Sequence, residues 1–340
     1  MKHLLLSSLF FVAACSSASG RDGHGGGGGG SGGGSAGSGG GNAGSGGSGG
    51  NGGSGGSGGG TVGDGGADDC SGAAKLIYVV DENETLYSFT PNQTDITQST
   101  FATIGTISCS GATGSTAFSM AVDRNATAWV ELQPPSSDPF GLTPPGPTSV
   151  YSVSTANAAC TATNFTAGSG GFDEFGMGFA SNAAMSTDET LFVFGGAAVG
   201  TGTGSSLGSL DTTSMAISTL ASNLSGSPEL TGNALGDLWG FFPDTSSLGG
   251  TKSTPYIAKI DKTTGAIDTT SQVMLSTLPS GAQAWAFAFY GGDFFIFLAT
   301  TGNTVVYQVS NNALKTATLK TSYKIVGAGV STCAPVIPIS

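Results

Sequence analysis

Period-two alternation of bulky and small residues, a strand signature that recurs at roughly 50 to 64 residues, and two chain ends that each hold part of one repeat predict the fold class. Together they specify an all-β chain, a five-bladed β-propeller closed by N- and C-terminal strands in one blade. A six-bladed ring and a β-sandwich are the alternatives. A sandwich shows closely spaced turns but no long repeat.

The inner strand of each repeat comes first. Phe118, Met120 and Val122 alternate with Ser119 and Ala121; Phe175, Met177 and Phe179 with Gly176 and Gly178; Trp285, Phe287 and Phe289 with Ala286 and Ala288. Bulky residues on one face and tiny ones on the other suit a strand buried on both sides in a crowded centre. Weaker copies run over Leu230–Leu235 and Val326–Val330. After the strong copies come a turn and a second apolar strand containing Trp129, Phe192 or Phe295. A third strand has its own signature in Leu86–Phe89, Val150–Val153, Leu207–Leu210, Tyr256–Ile260 and Val306–Val309. The repeat that begins at Lys75 lacks an inner strand, and the last segment, Val326–Ala334, is an inner strand with no blade after it. Joining the two closes the ring and leaves no open sheet edge.

Ahead of this domain, Lys2 precedes an apolar stretch from Leu4 to Val12, and the stretch ends in Val12-Ala13-Ala14-Cys15. It is too short to span a bilayer, which takes roughly 20 apolar residues. The arrangement resembles the lipobox of bacterial lipoproteins. That resemblance implies a signal peptide over 1–14, cleavage before Cys15, and acyl chains on Cys15 that anchor the protein to a membrane. Ser16 is not Asp, which by similarity to enterobacterial sorting favours the outer membrane, with the protein facing the periplasm or the cell surface. Residues 15–69 then form a tether. Half of the chain's 60 glycines fall within residues 20–66, where Val62 is the one large apolar side chain, so nothing can bury a core. Some 45 such residues have a coil span of about 35–40 Å. The third segment, 70–340, is the propeller domain.

Composition narrows the function. The chain carries a formal charge of −12, and from Ser71 onward eight Lys or Arg stand against eighteen Asp or Glu. No basic patch exists for nucleic acid. The only histidines are His3, in the signal peptide, and His24, in the tether, so the domain has no Ser-His-Asp or Cys-His constellation and no histidine-based zinc or iron site. Asp81-Glu82-Glu84, Asp123, Asp173-Glu174 and Asp188-Glu189 fall in expected turns, where acidic side chains serve turn geometry. A calcium ion would need several of their oxygens to converge; otherwise no cofactor is expected. Trp129, Trp239 and Trp285 lie in strand patterns where blade packing uses them.

Four cysteines remain in the domain, an even number in an exported chain, and three pairings are open. Ring closure brings Cys70, just before the first strand, beside Cys333, at the end of the last inner strand. Cys109 and Cys160 then pair by elimination. They sit on the outer strands of successive blades, which sets their separation against the limit of about 7 Å between Cα atoms.

The lipobox, the tether, Phe118 to Asn125, Ala286 to Asp293 and Gly327 to Pro335 make the whole chain resemble secreted lipoproteins of myxobacteria and similar bacteria. The resemblance covers most of the chain and implies no activity. The reading that follows is a monomeric, membrane-anchored, extracytoplasmic binding or scaffold module that presents a propeller face to an envelope protein or glycan. The alternative is a carboxylate- or calcium-dependent propeller enzyme of the lactonase or glycan-cleaving kind. Three or more Asp, Glu or Asn at the mouth of the ring would discriminate them.

Overall fold

The computed structural model describes residues 70–136, 145–196, 204–248 and 250–338. The segments expected as signal peptide (1–14) and tether (15–69), with Cys15 as the expected lipidation site, lie outside the described residues. Blade 1 opens with β1 (Ile77–Asp81), β2 (Thr85–Thr90) and β3 (Thr100–Thr106). Blade 2 holds β4 (Thr116–Val122), β5 (Thr127–Gln133), β6 (Ser149–Ser154) and β7 (Cys160–Ala162), and blade 3 holds β8 (Glu174–Ser181), β9 (Glu189–Gly196), β10 (Ser205–Leu210) and β11 (Ile217–Leu224). Blade 4 comprises β12 (Glu229–Gly232), β13 (Leu238–Phe242), β14 (Tyr256–Ile260) and β15 (Ile267–Met274). Blade 5 comprises β16 (Ala284–Tyr290), β17 (Asp293–Ala299), β18 (Val305–Ser310) and β19 (Ala313–Lys320). The last strand, β20 (Ile325–Val330), is the inner strand of blade 1.

Every sheet is antiparallel, and the inner strands touch in the order β20, β4, β8, β12, β16 and back to β20. The protein is a five-bladed β-propeller. Among the described residues the helical content is four single 3-10 turns. The weak inner copy at Leu230 ends earlier than its sequence pattern, at Gly232, because Asn233 starts a turn.

The tiny residues of the inner strands have a steric cause. In β8, Met177 packs with Ala121 and Trp129 of blade 2. Gly176 and Gly178 face blade 4 instead, where an added Cβ would stand 2.2 Å from the Pro228 carbonyl oxygen and 2.9 Å from the Leu230 carbonyl carbon. A Cβ at Gly329 in β20 would stand 2.9 Å from the Ala121 carbonyl carbon. Inner strands of adjacent blades therefore meet backbone to backbone. Each also has an edge without a partner strand, and its buried N–H groups need acceptors. Hydroxyls of the preceding blade supply them: Ser119 Oγ accepts from Met177 N at 3.2 Å, Thr231 Oγ1 from Phe289 N at 3.1 Å, and Thr304 Oγ1 from Ile325 N at 2.8 Å.

Turns repeat with the blades. Asp81 Oδ1 accepts from Asn83 N and Thr85 N, Asp123 Oδ1 from Asn125 N and Thr127 N, and Asn233 Oδ1 from Leu235 N and Asp237 N. The fourth residue of each turn is left-handed, with φ of 60° at Glu84, 59° at Ala126 and 82° at Gly236. Asp81 and Asp123 thus serve turns, as their sequence context suggests.

Closure pairs β1 with β20, from Ile77 opposite Val330 to Val80 opposite Gly327. Cys70 is bonded to Cys333 across this junction, with Cα atoms 5.8 Å apart. Cys109 is bonded to Cys160, with Cα atoms 5.0 Å apart, well inside the limit that the outer-strand positions had put in question. A parallel bridge between Ser108 and Ala159 draws the two loops together and provides that short separation.

Candidate functional site

The five inner strands begin at one end of the ring, and their first residues surround a cavity of about 380 Å³. Phe118 of β4, Phe175 of β8, Phe194 of β9 and Trp285 of β16 supply aromatic wall. Gln133, Glu174, Glu229 and Gln283 supply the polar groups, and among the described residues lining the cavity there is no Lys, Arg or His. A concave, mostly apolar space with a few converging polar groups is the usual form of a ligand site.

Glu229 is the first residue of β12. Its Oε1 accepts from Ser119 Oγ of blade 2, the same oxygen that caps Met177 N of blade 3, so one buried network joins three blades. Burial holds the Glu229 carboxyl well above the usual carboxylate range, against the lowering effect of the Ser119 and Met177 donors. Glu131 of β5 is fully buried beside it. Its Oε1 accepts from Thr148 Oγ1 and, at 3.2 Å, from Phe175 N, while its Oε2 is buried with no hydrogen-bond partner. Burial is the main cause of its strongly raised pKa, and the charges of Glu229 and Glu174 push the same way. Gln133 Nε2 donates to Glu174 Oε1. Two carboxyls, Glu174 and Glu229, therefore line the cavity and a third, Glu131, is buried behind them, so the described mouth holds fewer than the three acids that would favour an enzyme. Among the described residues no three His, Cys, Asp or Glu converge as metal ligands.

The opposite end carries a second network. Glu189 accepts from Arg124 N at 2.8 Å and from Thr332 Oγ1 at 2.7 Å, and Arg124 reaches Thr332 Oγ1 at 3.2 Å and Cys70 Sγ at 3.3 Å. This ties blades 2 and 3 to the segment that follows β20. Burial is the largest cause of a Glu189 pKa pushed up to about 7, with Asp123 adding and Thr332 and Arg124 opposing.

The sequence reading assigned Glu174 and Glu189 to turns. The structure puts each at the first position of a strand, Glu174 at the cavity and Glu189 in the far network. Trp129 is buried in the core, whereas Trp285, expected to be packing only, is half-buried and lines the cavity. Glu131 and Glu229 were not singled out at all. A lone acid at an alternating position of an otherwise apolar strand, as in Trp129-Val130-Glu131-Leu132, was the available signal.

No family model matches the chain, and no curated protein matches it. Among solved structures it is similar to a nidogen/laminin complex, at 10% identity over 75% of this chain and 97% of that chain, with a TM-score of 0.44. It is also similar to a luciferin-regenerating enzyme, at 13% identity over 75% and 80% of the two chains, TM-score 0.38, and to TolB from Acinetobacter baumannii, at 10% identity over 72% and 54%, TM-score 0.37. Likeness at this level says nothing of activity, so the functional argument rests on the cavity.

Proposed function

We propose that this chain is a lipid-anchored, extracytoplasmic binding module of the bacterial outer membrane that takes part of an envelope protein or glycan into the cavity at the mouth of its propeller. The carrying observation is that cavity: about 380 Å³, walled by Trp285 and Phe118 and floored by Glu174 and Glu229. Val12-Ala13-Ala14-Cys15 and the glycine-rich tract support the anchored half of the reading. The rival, a carboxylate enzyme, draws on the same two glutamates.

Calorimetric titration of the detergent-solubilised full chain with peptidoglycan fragments, lipopolysaccharide core oligosaccharides and envelope-protein peptides tests it. Saturable binding is expected for wild type and lost in Trp285→Ala. Binding that survives this substitution sinks the cavity reading. Mass spectrometry of the recovered ligand separates the two classes, since a binding module returns it intact and a hydrolase returns it shortened.

A further inference from the structure

The cavity has walls of one chemistry and a floor of another. Trp285 and Phe118 present half-buried aromatic rings. Glu229 is a buried carboxyl whose Oε1 is met by a neutral hydroxyl, that of Ser119. Behind it, the Glu131 Oε2 atom has no partner, and its carboxyl feels the charges of both Glu229 and Glu174. Burial disfavours the ionised form of the Glu229 and Glu131 carboxyls, and an arriving countercharge would offset that cost and let them ionise in place. No basic side chain among the described lining residues provides one.

Three classes of ligand meet this surface differently. An anion finds no basic side chain among the described lining residues to receive it. An uncharged sugar is served by the Gln133 and Gln283 amides and gains little from paired buried acids. An ammonium group finds an aromatic face on one side and a carboxylate on the other, so cation–π attraction and charge-assisted hydrogen bonds act together. Taking the mouth cavity to be the ligand site, we infer that its ligand presents a primary ammonium group to Glu229 and Glu174 against the rings of Trp285 and Phe118.

The test is calorimetric titration of the solubilised full chain with glucosamine, N-acetylglucosamine and cadaverine. Glucosamine and N-acetylglucosamine share a ring and differ in the ammonium; cadaverine carries the ammonium on an alkyl chain. The expected result is that at least one of the two amines binds about tenfold or more tightly than N-acetylglucosamine. Glucosamine ahead of cadaverine indicates an amino sugar as the source of the group, and the reverse order an amine on an alkyl chain. Glu229→Gln should weaken amine binding by about tenfold and leave N-acetylglucosamine unchanged. Because Glu229 is buried, Glu174→Gln serves as the second variant, with a thermal melt to show that each is folded.

Equal binding of N-acetylglucosamine and both amines overturns the inference. If Trp285→Ala also abolishes that equal binding, the cavity is still the site and only the ligand class is wrong. Failure of both amines to bind at millimolar concentration overturns the inference too, while the titration with peptidoglycan fragments, lipopolysaccharide core oligosaccharides and envelope-protein peptides decides the cavity reading separately.

Discussion

Removing the two disulfides one at a time tests how the ring is held shut. The pairs close loops with sequence separations of 263 and 51 residues. The chain-entropy account gives about 5–6 kcal/mol for the long loop and about 4 kcal/mol for the short one. The absolute values are upper figures, but their difference depends only on the logarithm of the loop ratio and comes to about 1.4 kcal/mol. The native state should barely change when Cys70 and Cys333 are both replaced by Ala. The β1–β20 ladder remains, Ser331 Oγ still donates to Ala74 O at 2.6 Å, and Arg124 still reaches Thr332. The assay is urea unfolding followed by tryptophan fluorescence, comparing Cys70→Ala/Cys333→Ala with Cys109→Ala/Cys160→Ala. The first variant should be the less stable by about 1.4 kcal/mol, with an m-value no smaller than that of wild type, because the freed unfolded chain can expose more surface. An equal or larger loss in the second variant refutes the loop argument. A lowered m-value in the first refutes the claim that the ring stays closed without the bond, since its native state would then already expose surface.

Gly176→Ala places a methyl group 2.2 Å from the Pro228 carbonyl oxygen and should cost about 1–3 kcal/mol or more, whereas Gly72→Ala, with nothing within 4 Å and a φ of −57°, should stay within about 0.5 kcal/mol; urea midpoints compare them. Glu189 titrates near 7 when folded against 4.5 as its reference value, so its contribution to stability is complete below about pH 4.5 and is lost as pH rises through 7. The stability of wild type relative to Glu189→Gln should therefore fall by on the order of 3 kcal/mol between pH 4.5 and 8, and a flat difference rejects the buried-acid account. Cys15→Ser should release the protein from membranes, since the tether has no apolar surface to hold it; a variant that still sediments with membranes in high salt rejects the lipid anchor.

The fold was legible because its causes are local. Alternation such as Phe175-Gly176-Met177-Gly178 is the direct image of an inner strand with a neighbouring blade's backbone against one face, and that pattern survives in a single sequence. The strand signatures at Leu86, Val150, Leu207, Tyr256 and Val306 all fall in third strands for the same reason. The cavity was not legible because its residues are far apart in sequence. Glu131, Glu174 and Glu229 come from three blades, and which end of a strand carries an acid decides whether it faces the cavity, the far network or solvent. Glu174 and Glu189 show how narrow that margin is, since one position separates a turn from the first residue of a strand. Trp285 was misread for a related reason: alternation gives the face of a strand, not how near its start the cavity opens.

The bond between Cys70 and Cys333 also bears on mechanics. Cys333 follows the end of β20, so Cys70 is fixed at the pole of the ring opposite the cavity. Any tension that reaches the domain through the residues before Cys70 enters at that pole. At the lower pole the tension passes through a covalent link into the ends of β1 and β20 together. Because β1 and β20 are antiparallel and are both held at that end, they are drawn together, and β1 is not pulled out past β20. A ring linked in this way can be pulled from its N-terminal side without opening at the seam where its first and last strands meet.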